Sequence, residues 1–326
     1  MDEILPALPG GAAVAFIRLR SLGDTLLMTP AAAALKAWRP GLRTAVLIEP
    51  RFADVVRHNP DFDQVIEVPA GLAGRCRALG QLRAFRPQVV LGLHGGSTAA
   101  MLVRASGAPV RASFAGLRHR WAYNRLVPPQ APPAGRERLH TVEHMLSLLT
   151  GLGLPPVEAG ALRLHVRPEA RARMRQRLAQ RGVTGAYAFL ITEAREPAMR
   201  WPLPKFAALT AWLRQTYGLA SVQASAEAGE PVEGATLISG TSTEELMALE
   251  GEAELVAGND GGPVHIATAL GKPVVVVYST PDGAGGHPWL AASRWRPRQP
   301  IEAIAVEEVE ADIAALLAPV APARLR

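Results

Sequence analysis

Short apolar segments alternate with segments of helical length along the whole chain. The segments between the apolar runs carry hydrophobic residues at helical spacing and polar residues elsewhere. In the first half the apolar runs are residues 12–19, 44–48, 64–68, 89–93 and 110–114. Strands that alternate with helices in this way predict a parallel sheet with helices on both faces. Ligands on such sheets bind at the carboxyl ends of the strands.

The alternation is interrupted once and then resumes. Residues 118–133 contain two Pro-Pro pairs and predict a loop, which a helix at 140–149 follows. Strands are then predicted at 187–192, 220–224, 236–239, 254–257 and 273–279, with a closing helix near 306–317. Because 326 residues exceed one ordinary domain, we expect an α/β protein with two doubly wound domains, residues 1–155 and 156–326.

The loop at residues 258–265, Gly-Asn-Asp-Gly-Gly-Pro-Val-His, ends one predicted strand and opens a short helix. A helix N-terminus has unpaired N–H groups and a partial positive charge, and Gly261 and Gly262 would let a ligand approach the backbone closely. The loop therefore suits a phosphate or diphosphate. The alternative is structural, because Asn259 or Asp260 could simply cap the helix.

A second loop, residues 17–24, reads Ile-Arg-Leu-Arg-Ser-Leu-Gly-Asp and opens a helix after the first predicted strand. It resembles the first loop of the heptosyltransferases of glycosyltransferase family 9, whose motif is roughly I-R-x-S-x-L-G-D. The family also has N-D-[S/T]-G-P-x-H-x-A-x-A-L-G-x-P, which residues 259–273 follow with one departure, at Gly261. The resemblance covers nearly the whole chain and implies the GT-B architecture, with two Rossmann-like domains facing a central cleft.

Transfer of a sugar from a nucleotide diphosphate needs a base near the acceptor hydroxyl and N–H or cationic groups around the leaving diphosphate. The resemblance implies that Asp24 is the base and that the first domain binds the acceptor. Spacing alone fits equally an acid that stabilises the helix dipole. Ser21 could likewise cap that helix. The acceptor-side candidates are Ser21, Gly23, His94, Arg118 and Arg120.

The resemblance assigns the donor to the second domain. The family's loop before its Trp-Pro pair ends in K-[R/H]-W-P, and its lysine contacts the donor phosphates. Met199 occupies that position here, and a thioether cannot replace the charge, so Arg200 is the next candidate. Glu227 matches a glutamate that binds the ribose, but the family's glycine is missing there, and an ordinary surface glutamate fits almost as well. The donor-side candidates are Thr192, Arg200, Glu227, Asn259, Asp260, Gly261, Gly262 and His265.

The amino-acid composition limits the classes of partner and ligand that the protein is expected to bind. Residues 1–155 carry 18 Lys and Arg against 10 Asp and Glu, whereas the remainder carries 17 against 19. A basic first half suits an anionic acceptor or an anionic membrane surface. Aromatic residues are only 5% and no nucleic-acid motif is present, so nucleic acid ranks last. The single cysteine, Cys76, excludes an internal disulfide, and the histidines show no metal-site spacing, so we predict no metal and no cofactor.

The expected function is transfer of a sugar, with heptose from ADP-heptose favoured, to a lipopolysaccharide-type or other glycan acceptor. The resemblance implies inversion without a metal. The N-terminal residues lack the pattern of a secretion signal, which predicts a cytoplasmic protein that could contact the inner face of the membrane. Two alternatives stay open: a degenerate relative that binds a nucleotide or glycan without catalysis, and a nucleotide-sugar epimerase, against which the Ser-Leu-Gly-Asp loop argues.

Overall fold

The computed structural model describes residues 3–133, 136, 138–278, 286–297 and 300–318. The chain divides into two compact units, residues 1–165 and 166–326. This division lies later than the boundary expected after residue 155. Residues before 166 remain with the first unit because Arg163 pairs with Asp61 at 2.8 Å and donates its backbone N–H to Thr29 Oγ1 at 2.9 Å.

The first unit is built on one parallel sheet of six strands in the order β3-β2-β1-β4-β5-β6. The strands are β1 (Ala13–Ile17), β2 (Arg43–Ile48), β3 (Gln64–Glu67), β4 (Val89–Gly92), β5 (Val110–Phe114) and β6 (Arg125–Val127). The helices are α1 (Leu22–Trp38), α2 (Asp54–Arg57), α3 (Gly71–Phe85), α4 (Ser97–Ala105) and α5 (Thr141–Gly151).

The second unit repeats this plan with a parallel sheet in the order β12-β11-β10-β7-β8-β9. Its strands are β7 (Tyr187–Ile191), β8 (Ala220–Ser225), β9 (Ala235–Ser239), β10 (Leu255–Asn259), β11 (Val274–Tyr278) and β12 (Ser293–Pro297). Its helices are α6 (Pro168–Ala179), α7 (Leu203–Tyr217), α8 (Thr243–Glu252), α9 (Gly262–Ala269) and α10 (Val306–Leu317).

Counted from its own first strand, each sheet has the Rossmann order 3-2-1-4-5-6. The order reverses between β1 and β4 in the first unit and between β7 and β10 in the second. Each reversal is a topological switch point, where α/β sheets bind ligands at the carboxyl ends of their strands. The predicted doubly wound sheets are confirmed, and both motif loops follow a strand beside a switch point.

Two strands were not predicted, and each is the outermost strand on its side of a sheet. β6 lies inside the segment expected to be a loop, and β12 was missed altogether. Both are short and rich in arginine, so they lack the apolar runs of the central strands. The predicted strand 273–279 corresponds to β11, and its expected last residue, Ser279, lies outside the described residues.

Candidate active site

The loop after β1 places a carboxylate beside a buried arginine. Asp24 lies in the first turn of α1, and one of its oxygens, Oδ2, forms an ion pair with Arg18 Nη2. The same oxygen accepts a hydrogen bond of 3.0 Å from the Ser21 hydroxyl. Ser21 is the N-cap residue, but its side chain bonds Asp24 rather than a backbone N–H, so the expected capping bond is absent. Gly23 is buried in this turn.

Arg18 connects this loop to the neighbouring strand. Its side chain is almost completely buried, and its second terminal nitrogen, Nη1, donates to the backbone oxygen of Leu93 just beyond β4. The Asp24 side chain is 37% exposed. Burial opposes ionisation of this carboxyl, but Arg18 and the Ser21 hydroxyl outweigh it and lower the pKa of Asp24. Asp24 is therefore an ionised, oriented carboxylate at the first switch point.

Two histidines lie in the electrostatic field of the same arginine. His94 follows β4, and its ring packs against Gly96, where an added Cβ would lie 2.9 Å from Nε2. His144, on α5, stacks on Phe114 at the end of β5 with ring centroids 3.8 Å apart. Burial and then Arg18 lower the pKa of both imidazoles, so both are neutral near pH 7. The sequence predicts a site role for His94 but not for His144, whose position depends on how α5 packs.

A pocket of about 540 Å³ opens at the carboxyl ends of β1 to β4. Three arginines and one glutamate line it together with His94: Arg20, Arg51, Arg75 and Glu49. Glu49 pairs with Arg20 at 3.1 Å and with Arg51 at 2.9 Å, so the lining carries excess positive charge. Its wall also includes Ser97 and Thr98, in the first turn of α4, where no side chain caps the helix and no acid is present. This lining suits an anion.

The two arginines predicted to bind the acceptor lie elsewhere. Arg118 and Arg120 are exposed on the segment between β5 and β6, and neither lines the pocket. Arg51 and Arg75 line the pocket instead, where Arg118 and Arg120 were expected. No motif marks these residues, because they come together only when β2 and β4 pair with β1 and β3 pairs with β2.

In the second unit, Asn259 ends β10 and is completely buried. Its side-chain NH₂ donates to the backbone oxygen of Thr192 at 2.8 Å, and its side-chain oxygen accepts from the Trp201 backbone N–H at 2.8 Å. Both ends of the amide are thus used inside the protein. Asn259 therefore fixes the segment between β7 and α7, and Thr192 is held with it as a buried residue.

The start of α9 lies beside the second switch point. Gly261 is its N-cap residue and has no side chain to cap the helix, and Gly262 begins the helix. Burial is the main cause of a raised pKa at Asp260, opposed by the nearby Arg195 and by a hydrogen bond from the Gly261 backbone. His265 is buried, with 6% exposure, in the middle of the helix. The glycine N–H groups are therefore the more accessible donors of this loop.

The segment between β7 and α7 supplies cations. Arg195 and Arg200 are both exposed, whereas Met199 is half-buried at the end of a short 3₁₀ turn. Trp201 is fully buried, donates its ring N–H to the Ile304 backbone oxygen at 3.0 Å, and packs edge-to-face on Phe206. The buried Trp201 of the Trp-Pro motif thus anchors the segment between β7 and α7 to the core of the second unit. Because Arg195 acts electrostatically on Asp260, it is a cation placed near α9, although no sequence motif points to it.

Glu227 lies two residues after β8 and is exposed. The turn bends back so closely that a Cβ on Gly229 would lie 2.8 Å from the Ser225 Cβ. Gly229 allows this close approach, but it lies after Glu227 and does not fill the place of the glycine expected in the turn before it. Among the described residues, no group of three or more His, Cys, Asp or Glu side chains could hold a metal ion. Metal independence stays a prediction.

Comparison with known proteins agrees with this geometry of two Rossmann-type units, each with a candidate anion site at its switch point. Residues 75–293 match the family model described as glycosyltransferase family 9 (heptosyltransferase). The chain belongs to glycosyltransferase family 9. A lipopolysaccharide heptosyltransferase 3 from Escherichia coli is 27% identical over 296 residues, which cover 83% of this chain and 84% of the relative.

Solved structures show the same fold for this family 9 enzyme. A family 9 glycosyltransferase from Veillonella parvula matches with a TM-score of 0.82 at 19% identity, covering 95% of this chain and 98% of that one. An Escherichia coli heptosyltransferase with ADP matches with a TM-score of 0.72 at 18% identity, covering 93% and 99%. The GT-B-like fold is confirmed. In the described part of the chain, no helix has the length and hydropathy needed to cross a bilayer.

Proposed function

We propose that this family 9 enzyme transfers heptose from ADP-heptose to an anionic acceptor of the lipopolysaccharide type, with inversion and without a metal. The donor is suggested by a heptosyltransferase that was solved with ADP. The acceptor class is suggested by a relative named lipopolysaccharide heptosyltransferase 3. Asp24 acts as the general base, and the following observations support that role.

The arrangement of the Asp24 carboxylate carries the proposal. Arg18 and the Ser21 hydroxyl both bind Oδ2, and the Asp24 side chain is still 37% exposed. The carboxylate is thus held in place while part of it remains accessible to a proton donor. In the proposed step the acceptor hydroxyl oxygen bonds to the anomeric carbon, its proton passes to the Asp24 carboxylate, and the bond to ADP breaks with the electron pair leaving on the diphosphate.

The lowered pKa of Asp24 determines how its carboxylate can act as a base. An ionised Asp24 is ready across the neutral range, but it has a low affinity for a proton. Proton transfer is therefore expected to accompany formation of the glycosidic bond, when the acceptor oxygen becomes acidic. The acid limb of the kcat/KM profile should lie below the usual aspartate pKa of 3.8.

The pocket beside β1 is our candidate for the acceptor. Its excess positive charge, from Arg51 and Arg75 in particular, and the uncapped N-terminus of α4 suit a carboxylate or phosphate on a sugar. His94 lines the same pocket and is neutral, so it can donate or accept a hydrogen bond without adding charge. Arg118 and Arg120 become outer contacts of a large acceptor in this proposal.

The start of α9 is our candidate for the donor diphosphate. The N–H groups of Gly261 and Gly262 supply donors at the positive end of the helix, and Arg195 adds a charge next to Asp260. Asp260 and His265 line or support this loop. Glu227 is exposed after β8, which is separated from β10 by β7, and there it could accept hydrogen bonds from a ribose.

The decisive experiment is kinetic analysis of Asp24→Asn. The amide keeps the size of the side chain and loses the proton acceptor, so transfer should fall by about 100-fold to 10,000-fold while ADP binding is retained. Asp54→Asn, a change of a half-buried ion-paired aspartate on α2, is the matched control and should leave transfer unchanged. Parental turnover by Asp24→Asn would reject the base assignment.

One observation favours a second function, a nucleotide-binding protein without transferase activity. Met199 places a thioether where the family's phosphate-binding lysine is expected. A parental protein that binds ADP in calorimetry, yet transfers no sugar from ADP-heptose to any heptose-containing acceptor, would support that alternative.

A further inference from the structure

A buried tyrosine ends the strand that follows α9. Tyr278 comes after four consecutive valines as the last residue of β11, and only 1% of its surface is exposed. Within the part of the chain that the structure describes, its hydroxyl has no hydrogen-bond partner. Burial of a hydroxyl without such a bond costs free energy that a phenylalanine would avoid. A buried hydroxyl of this kind therefore calls for a functional explanation.

The pairing of β10 with β11 places this hydroxyl near the start of α9. Asn259 lies opposite Val277 in the parallel pair, so Asp260 and Tyr278 come next at neighbouring positions. The Tyr278 ring belongs to the same hydrophobic cluster as Val264, in the first turn of α9, so it extends from the sheet on the side that α9 covers. Burial raises the pKa of the Tyr278 hydroxyl, and the negative charge of Asp260 raises it further.

Asp260 competes with a diphosphate for the groups around it. Its half-buried carboxylate receives a hydrogen bond from the Gly261 backbone N–H and is also stabilised by Arg195. Both are groups that the proposed function assigns to the donor diphosphate. A carboxylate that remained in place would repel the diphosphate, because two negative groups would share one helix N-terminus. Binding of the diphosphate therefore displaces the Asp260 carboxylate, which then needs another hydrogen-bond donor.

We propose that Tyr278 is that donor: when a diphosphate takes the Gly261 N–H, the Asp260 carboxylate turns to the Tyr278 hydroxyl and accepts its hydrogen bond. Only hydrogen bonds change in this exchange, and no proton is transferred. The hydroxyl that lacks a partner in the free protein gains one in the complex. Tyr278 is thus a positioning residue that acts on the donor through Asp260. This inference rests on the proposed donor site at the start of α9.

Tyr278→Phe tests the exchange, because phenylalanine keeps the ring and removes the hydroxyl. Calorimetry of the full chain with ADP should give a dissociation constant at least about tenfold higher than that of the parent, as expected for loss of a hydrogen bond to a charged group. The free variant should unfold at the parental temperature or above it, because only an unpartnered hydroxyl has been removed.

Tyr187→Phe is the matched control. Tyr187 is a second buried tyrosine of the same hydrophobic cluster, and its hydroxyl donates to the Leu249 backbone oxygen at 2.6 Å. Its removal leaves that buried oxygen unpaired and should lower the unfolding temperature. The affinity for ADP should stay within about twofold of the parental value. The two substitutions therefore separate an effect on ADP binding from an effect on stability.

Asp260→Asn distinguishes positioning from a structural role of Tyr278. The amide carries no charge, so it does not repel a diphosphate and needs no replacement donor. In an Asp260→Asn background, Tyr278→Phe should therefore change the affinity for ADP by less than about twofold. A defect that weakens ADP binding equally in both backgrounds would mean that Tyr278 acts without Asp260, and the proposal would be overturned.

Two further results would also overturn the exchange. Parental ADP affinity in Tyr278→Phe would show that the hydroxyl has no part in diphosphate binding, and it would leave the proposed function intact. A parental protein that binds no ADP would reject the donor site and the exchange with it. The assignment of Asp24 as the base is tested separately, because Asp24→Asn leaves both Tyr278 and Asp260 unchanged.

Discussion

Arg18 and Asp24 depend on each other. Arg18 is nearly buried, and its guanidinium has one charged partner, Asp24, and one neutral partner, the Leu93 backbone oxygen. Removing the carboxylate leaves a buried cation with only the neutral partner, which is costly. Asp24→Asn should therefore lose some stability as well as activity. Its effect on turnover has to be measured at a temperature where the variant is fully folded.

The residues near the proposed site of the donor diphosphate give the next prediction. Arg195 acts on Asp260 at the start of α9, whereas Arg200 adjoins the position of the family's lysine. If Arg195 contacts the phosphates, Arg195→Ala should weaken ADP binding by about 1.5–3 kcal/mol, the contribution of a charged hydrogen bond, and Arg200→Ala should have little effect. Isothermal calorimetry with ADP measures both.

The same experiment can include Met199→Lys. A new cation would tighten ADP binding only if the diphosphate passes close to residue 199, where the family has lysine. Tighter binding with faster transfer would identify a weakened enzyme. An unchanged dissociation constant, combined with a large loss in Arg195→Ala, would show that Arg195 fills that role. The reverse pattern, with Arg200→Ala as the damaging change, would reject the assignment to Arg195.

Motifs predicted some of these residues but not their neighbours. Asp24 and Asp260 could be named because each belongs to a short, continuous pattern. The Leu93 backbone oxygen, which accepts a hydrogen bond from Arg18, could not be predicted. Arg18 lies close to this oxygen only because β4 pairs with β1. Asn259 was predicted to contact the donor, yet pairing of β10 with β7 buries its side chain against Thr192. Sequence spacing does not reveal contacts between strands.

At the scale of elements, α8 carries an acid inside the protein. Glu250 is completely buried next to α9, and among the described residues no cation forms a salt bridge with it. Burial raises the pKa of its carboxyl well above the usual 4.5. The folded protein therefore holds a proton that the unfolded chain releases above that pH.

This linkage predicts how stability depends on pH. Because folding takes up a proton, the free energy of unfolding should fall as pH rises from about 4.5 toward the raised pKa of Glu250. Glu250→Gln keeps the shape of the neutral acid and removes the titration. The variant should therefore gain stability over the parent as pH increases from about 5 to about 8. Urea unfolding across this range measures the difference.

Glu254→Gln provides the matched control, because Glu254 is exposed in the same unit. Its stability difference from the parent should stay constant over the same pH range. A Glu250→Gln difference that is equally constant would mean that Glu250 titrates normally in the folded protein. The expected rise in the pKa of the buried Glu250 carboxyl would then be wrong.

The elements themselves were largely predictable, and the exceptions share a cause. Central strands such as β1 and β11 are continuous apolar runs because helices cover both faces of a parallel sheet. The end strands β6 and β12 have a neighbour on one side only and are partly exposed, so their sequences, Arg-Leu-Val and Ser-Arg-Trp-Arg-Pro, tolerate charge. Their pairing depends on the strand already in place beside them.

At the scale of the whole molecule, the chain repeats one topology with different surfaces. Both sheets have the same strand order, and each unit has its own buried cores. The repeat was predictable from the alternation of strands and helices. The position of the division between the two units, after residue 165, was not predictable. It depends on the contact of Arg163 with Asp61 in the first unit, and these two residues are far apart in sequence.

Separate cores and separate candidate sites predict that the units can be separated. A fragment of residues 166–326 contains α9, Arg195 and complete cores, so we expect it to fold cooperatively and to bind ADP with an affinity close to that of the full chain. The fragment of residues 1–165 should fold but leave ADP unbound. Circular dichroism establishes folding, and calorimetry measures binding.

The pair of fragments makes this test specific. If the second fragment is folded and fails to bind ADP, the first unit must contribute donor contacts, and the assignment of the donor to one unit is wrong. If the first fragment binds ADP instead, the basic pocket at β1 to β4 is the diphosphate site, since its arginines and the α4 N-terminus suit any phosphate. ADP binding confined to the second fragment leaves that pocket for the anionic acceptor, as the proposed role of Asp24 as the base requires.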